Sequence, residues 1–188
     1  THTPPLSPDK ALTLFEKAQD PSDRITAIRH LMLSMGDIST NEAQRRIDAG
    51  YTANNPHALP AKIRQRAVTL LPGAFDPKHP GHPLQYEIAR LLAMLEADTS
   101  TALEGLASAL SHSSHPTHDA HYLFCLSQMP GPREHIREKV AKAFFNSVWL
   151  YQERGYAAAL DEAYSLLSEA DRKELKMRSE HIAPEVPK

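Results

Sequence analysis

Apolar residues recur along this chain at helical spacing, and Pro and Gly mark where each run stops. Ser7 offers an N-cap with Pro8 in the first helical position, and Leu12, Phe15 and Ala18 form an apolar edge. Asp20-Pro21-Ser22 breaks this helix and starts the next, where Ile25, Ile28, Met32 and Met35 keep the spacing up to a capping Gly36. Ser39-Thr40-Asn41 predicts a short polar helix to Ile47, and residues 51–60 a loop. Ile63, Ala67, Leu70 and Leu71 predict a further helix that Pro72-Gly73 stops.

The second half is more regular. Leu84, Ile88, Leu91, Leu92 and Leu95 fall at i, i+4, i+7, i+8 and i+11, one face of a helix. Asp98 or Thr99 caps the next helix, with Leu103, Leu106, Ala107 and Leu110 on one side. From Pro116 to Met129 the pattern is apolar nearly all round, which predicts a central helix ended by Pro130-Gly131-Pro132. Ile136, Val140, Phe144, Val148 and Tyr151 predict a long helix, and Ala157, Leu160, Tyr164 and Leu167 another. Ser168 caps a last, charged helix from Glu169 to about Glu180.

β-branched residues are scarce and strict alternation is absent, so the expected class is all-α. Helix pairs recur about every 35–40 residues, near the period of HEAT-type repeats. One pair cannot bury its apolar stripes alone, and stacking supplies the missing partner. The expected architecture is a short right-handed α-solenoid of stacked antiparallel helix pairs. Residues 1–7 read as a linker, 8–182 as the helical domain and 183–188 as a fraying tail. Pro77, Pro80, Gly81 and Pro83 make 72–83 the place for a subdomain boundary.

Composition narrows the function classes. The chain is 41% hydrophobic and 23% charged, enough for an aliphatic core and above what disorder would show. A net charge of −2 lacks the basic footprint of a nucleic-acid binder. Lys62, Arg64 and Arg66, and Arg133, Arg137, Lys139 and Lys142 among Glu134 and Glu138, read as solvated faces with i,i+4 pairing. Cys125 is the only cysteine, so no internal disulfide forms, and its apolar surroundings in sequence mark it as a small buried hydrophobe. No stretch has the length of a membrane span and no signal peptide is evident. A start at Thr1 without Met is expected of an excised piece.

One segment invites chemistry. His112, His115, His118, Asp119 and His121 lie within ten residues, and imidazoles with a carboxylate are a zinc-type ligand set. His118 and His121 are i,i+3 at a helix start and share a face. The competing interpretation is a capping loop, with Thr117 as N-cap, Asp119 at the positive helix end and His121 half-buried. His79 and His82 with Asp76 mark either a functional loop or a rigid connector. Phe144, Phe145, Trp149 and Tyr151 read as core packing before a partner-binding face. The chain has no P-loop, dinucleotide-binding glycines, nucleophile elbow, HExxH or CxxCH.

The run from Asp119 through His121-Tyr122-Leu123 to Pro130-Gly131-Pro132-Arg133 resembles a segment of large c-type-cytochrome proteins of Planctomycetes and Verrucomicrobia. These are the PVC-type haem-binding, or membrane-bound dehydrogenase, proteins. In them a D-x-H-Y-L-x-x-L-x-x-L-P-G-P-R-like run follows a helix like Leu84–Leu95. Ala27–Asp37 and Ala49-Gly50-Tyr51 are similar to the upstream part, so the likeness spans roughly residues 10–145 and stops after Ala141. The resemblance implies a HEAT-like region between a sugar-dehydrogenase-like β-propeller and a cytochrome c domain, outside the cytoplasm. No catalytic or haem-ligand residue carries over.

The expectation is therefore a non-catalytic helical scaffold or docking module of an exported, periplasmic redox protein. It holds no cofactor, has protein partners, and neither binds nucleic acid nor enters a membrane. The alternative is a metal- or haem-binding helical domain using His115, His118, Asp119 and His121.

Overall fold

A computed structural model describes residues 6–36, 50–55, 58–110, 115–131, 133–147, 164 and 167–182. Among them there are eight helices and no strands: α1 (Pro8–Lys17), α2 (Pro21–Ser34), α3 (Ala61–Ala74), α4 (Pro83–Met94), α5 (Ser100–Ala107), α6 (Pro116–Gln128), α7 (Arg137–Ser147) and α8 (Glu169–Ile182). The all-α expectation stands. The short helix expected after Ser39, the helix around Ala157 and the residues Trp149 and Tyr151 lie outside the described residues.

Four helices begin the same way, with proline in the first helical position after Ser7, Asp20, His82 or His115. Proline suits this position because the helix leaves its N–H unpaired anyway and its φ is already helical. Asp20 accepts from the Ser22 N–H at 2.7 Å, and Thr99 Oγ1 accepts from Ala102 N–H at 3.3 Å. Ser168 Oγ accepts from the Asp171 N–H at 3.1 Å while the Asp171 carboxylate takes the Ser168 N–H at 3.3 Å, a reciprocal cap. α4 closes on Glu96, a rare non-glycine residue at φ +49°, with Ala97 N–H bonded to the Leu92 carbonyl at 3.0 Å and Glu96 N–H to that of Ala93.

Two sequence expectations change. α3 runs through Pro72 to Ala74 and does not stop at Pro72-Gly73. Proline removes one bond, to the carbonyl four residues back, and in the last turn that loss does not break the helix. Several arginines are also not simply solvated. Arg64 donates to the Leu95 carbonyl at 2.6 Å, and Arg133 to the carbonyls of Leu126, at 3.3 Å, and Met129. Helix C-termini leave carbonyls without intrahelical partners, and a guanidinium can satisfy two at once. Arg66 pairs with Glu16 across α1 and α3. The expected i,i+4 pair does form between Glu138 and Lys142.

Contacts between helices follow a regular order. α1 packs on α2, α3 on α4 and α5 on α6. In addition α1 touches α3 and α3 touches α5, while α2 touches α4 and α4 touches α6. α7 continues from α6, and α8 packs on α7. One apolar cluster runs through all of this, from Ala11 and Leu12 to Val140 and Phe144, across the Pro-rich 75–82 segment. The stripe Leu84, Ile88, Leu91, Leu92 and Leu95 is fully in it, and so are Tyr122 to Leu126 of α6. α4 and α6 therefore pack directly on each other within this cluster.

Candidate functional site

Of the histidines singled out in the sequence, His115, His118 and His121 sit at the start of α6, against α4, while His112 lies outside the described residues. His115 is the N-cap, and its Nδ1 accepts from the Thr117 N–H at 3.3 Å. Thr117, expected to cap, is already inside the helix, because Pro116 takes the first helical position. His82 caps α4 in the same way, accepting from the Leu84 N–H at 3.2 Å. Asp119 is fully buried in the first turn of α6, where a negative charge suits the helix dipole.

His118 and His121 do share a face, and what they share is Tyr86 of α4. The Tyr86 hydroxyl pairs with His118 Nδ1. His121 Nε2 lies 3.2 Å from the Tyr86 backbone carbonyl, and its Nδ1 lies 2.9 Å from the Tyr51 hydroxyl. A carbonyl can only accept, so Nε2 carries the proton and Nδ1 accepts from Tyr51. Both nitrogens of a neutral imidazole are thus satisfied. Burial, then the charge of Arg90 and the proximity of His118, lower the His121 pKa to about 3.

Rings complete the seam. The His121 and Tyr86 centroids are 4.5 Å apart at 84°, an edge-to-face contact, and Tyr122 stacks on Tyr86 at 6.0 Å. Phe124 and Tyr51 meet edge to face at 5.6 Å. Tyr122 Oη donates to the Pro80 carbonyl at 2.6 Å, which ties the Pro-rich segment to α6. Burial raises the Tyr122 phenol, so it stays a donor. The His118 ring lies against Gly81, where an added Cβ would come within 3.1 Å of Nε2. Cys125 is buried one turn after His121, 3.8 Å from its Nε2, and burial holds the thiol protonated.

The seam opens on a cavity of about 500 Å³ lined by Tyr51, Tyr86, Glu87, Arg90, His121 and Phe124 among others. Its charged groups are engaged. Glu87 takes Arg29 at 2.7 Å and faces Arg90, and Arg90 Nε donates to the Gly50 carbonyl. The structure thus brings His115, His118, Asp119 and His121 into the first turns of one helix, where the three imidazoles face a backbone N–H, two hydroxyls and a carbonyl. Among the described residues, no three His, Cys, Asp or Glu side chains gather as a metal ion would need. His79 pairs with Asp76 at 2.7 Å in the connector, and this hydrogen bond holds the Asp76 carboxyl below its usual range.

Sequence reasoning missed Tyr86, Arg90 and Tyr51. A signal existed for the first two. They are i,i+4 on α4, beside the apolar stripe, so they mark a second face that also needs a partner. Tyr51 lies 70 residues from His121, and no local pattern links them.

Compared with protein-family models, curated proteins and solved structures, the chain matches none.

Proposed function

We propose that the chain is a non-catalytic module of stacked antiparallel helix pairs, a short HEAT-like right-handed solenoid, that spaces or docks domains of a larger exported redox protein. The observation that carries this is the order of helix contacts. Within α1–α6 each helix packs on its pair-mate and on the helix two positions away. That order is what successive helix pairs produce when each buries its stripe on the next. The side chains that invited chemistry fit the same role, since the imidazoles of the α4–α6 seam bond to partners in the fold. The redox setting and the location outside the cytoplasm rest on the resemblance of Asp119–Arg133 to PVC-type cytochrome proteins. Among the described residues no helix is long and apolar enough to cross a membrane.

The test is metal content by mass spectrometry and a haem titration on protein purified without a His-tag, with thermal unfolding in and out of chelator. A scaffold gives empty protein, no saturable haem uptake and an unchanged melting temperature. Near-stoichiometric metal or haem that disappears in a His118→Ala/His121→Ala variant would overturn the proposal.

A further inference from the structure

We infer that the groove along the outer side of α3 docks an acidic, amphipathic helix of a partner protein. This rests on the docking-module reading above. The groove has a volume of about 1060 Å³ and lies among Glu16 of α1, Arg24 of α2, and Lys62, Arg66, Leu70 and Gly73 of α3. The four α3 residues fall at i, i+4, i+8 and i+11, so they form one stripe down a helix of 14 residues, about 21 Å long. A helix of similar length laid along the stripe meets it at i, i+3, i+4 and i+7 positions.

The floor has room for such an occupant. Leu70 reaches the core from the stripe and is only partly covered. A Cβ built on Gly73 meets nothing within 4 Å.

Charge decides what kind of helix fits. Three cations and one carboxylate line the groove, while the whole chain carries −2. Arg66 is already paired with Glu16 and faces Asp9 at 3.5 Å, so the open cations are Arg24 and Lys62. Arg24 uses Nε on the Ala18 carbonyl at 2.9 Å and lies over the Phe15 ring at 5.6 Å, and among the described residues its two terminal nitrogens meet no acceptor. Lys62 is exposed and makes no hydrogen bond or ion pair among the described residues. α3 also begins there without a side-chain cap and with no acidic residue in its first turn, so its positive end adds to the same field.

Carboxylates on the partner therefore belong beside Arg24 and Lys62, and its apolar side chains over Leu70 and Gly73. A nucleic-acid backbone suits the site poorly, since it would need a longer run of cations and no apolar floor.

The experiment is an NMR titration of the full 188-residue chain with two synthetic 14-residue helical peptides. Both carry leucines at i, i+3, i+4 and i+7. One has glutamates at its remaining positions and the other lysines. The acidic peptide should shift amides of 61–74 and those near Glu16 and Arg24, saturably, and the basic peptide should not. Lys62→Glu should weaken binding about tenfold. Gly73→Trp, which fills open space, should abolish binding with the melting temperature kept. Equal binding of both peptides, shifts on another face, no saturable binding, or a second copy of the chain occupying the groove would each overturn the proposal. Those outcomes leave the scaffold reading standing if the protein is folded and metal-independent, whereas metal-dependent folding would strike the scaffold reading and not the groove.

Discussion

The α4–α6 seam and the α3 groove both mix aromatic or aliphatic surface with titratable groups, and they use the mixture in opposite ways. In the seam each imidazole meets a partner from the same fold: Tyr51 and the Tyr86 carbonyl for His121, the Tyr86 hydroxyl for His118, the Thr117 N–H for His115. In the groove, among the described residues, nothing is set against Lys62 or within 4 Å of a Cβ on Gly73. A closed polar network in a low-dielectric interior specifies how two helices meet, because leaving any member unpaired there is costly. An open mixed surface leaves groups such as Lys62 within reach of a partner. The imidazoles of His115, His118 and His121 are thus engaged in how α4 and α6 meet.

The largest effect that would break this contrast lies at Tyr86. Its ring meets His121, His118 and Tyr122, and its hydroxyl pairs with His118. Tyr86→Ala should cost about 3 kcal/mol in urea unfolding, whereas Tyr86→Phe, which removes only the hydroxyl, should cost about 1 kcal/mol. If both variants unfold like the parent, the seam is not what joins α4 to α6.

Acid should reveal the same seam. The His121 pKa is about 3 in the fold against an ordinary value of 6.5. Below 6.5 the unfolded chain binds a proton that the folded chain refuses, so the contribution of His121 is fully present above that pH. It is lost as pH falls toward 3, by about 1.4 kcal/mol per unit. Unfolding measured from pH 7.5 to 4.5 should show the parent losing about 2.5 kcal/mol more than a His121→Gln variant. Equal losses would mean that His121 takes up its proton in the folded state as freely as in the unfolded one.

Much of the fold was legible because its signals are local. Pro in the first helical position after Ser7 and Asp20, and the Leu84–Leu95 stripe, each specify a helix start or a buried face within a few residues. Pro72 misled because a proline's cost depends on where in a helix it falls, and the end of α3 is set by Phe75, which is buried in the core and turns extended. The arginines misled for a different reason. Arg64 and Arg133 look like surface charge in sequence, yet the carbonyls they cap belong to helix ends up to 31 residues away. The site was half visible. His118 and His121 were seen to share a face, but the groups that satisfy them come from α4 and from Tyr51, and only packing brings those together.

The smallest effect has the opposite sign and belongs to the groove. Gly73 lies in the last turn of α3 with no positive φ, and a Cβ there touches nothing. Glycine at such a position costs the folded state backbone entropy and gives no packing in return. Gly73→Ala should therefore stabilise the protein by about 0.5–1 kcal/mol in urea unfolding, with the rest of the fold unchanged. The same one-carbon addition at Gly81 presses on the His118 ring at 3.1 Å, so Gly81→Ala should give no gain or a loss. Gain at one glycine and none at the other would measure the difference between a surface kept open and a seam already full. A gain at both would mean that the seam has slack, and that His118 can move away from the loop without disturbing Tyr86.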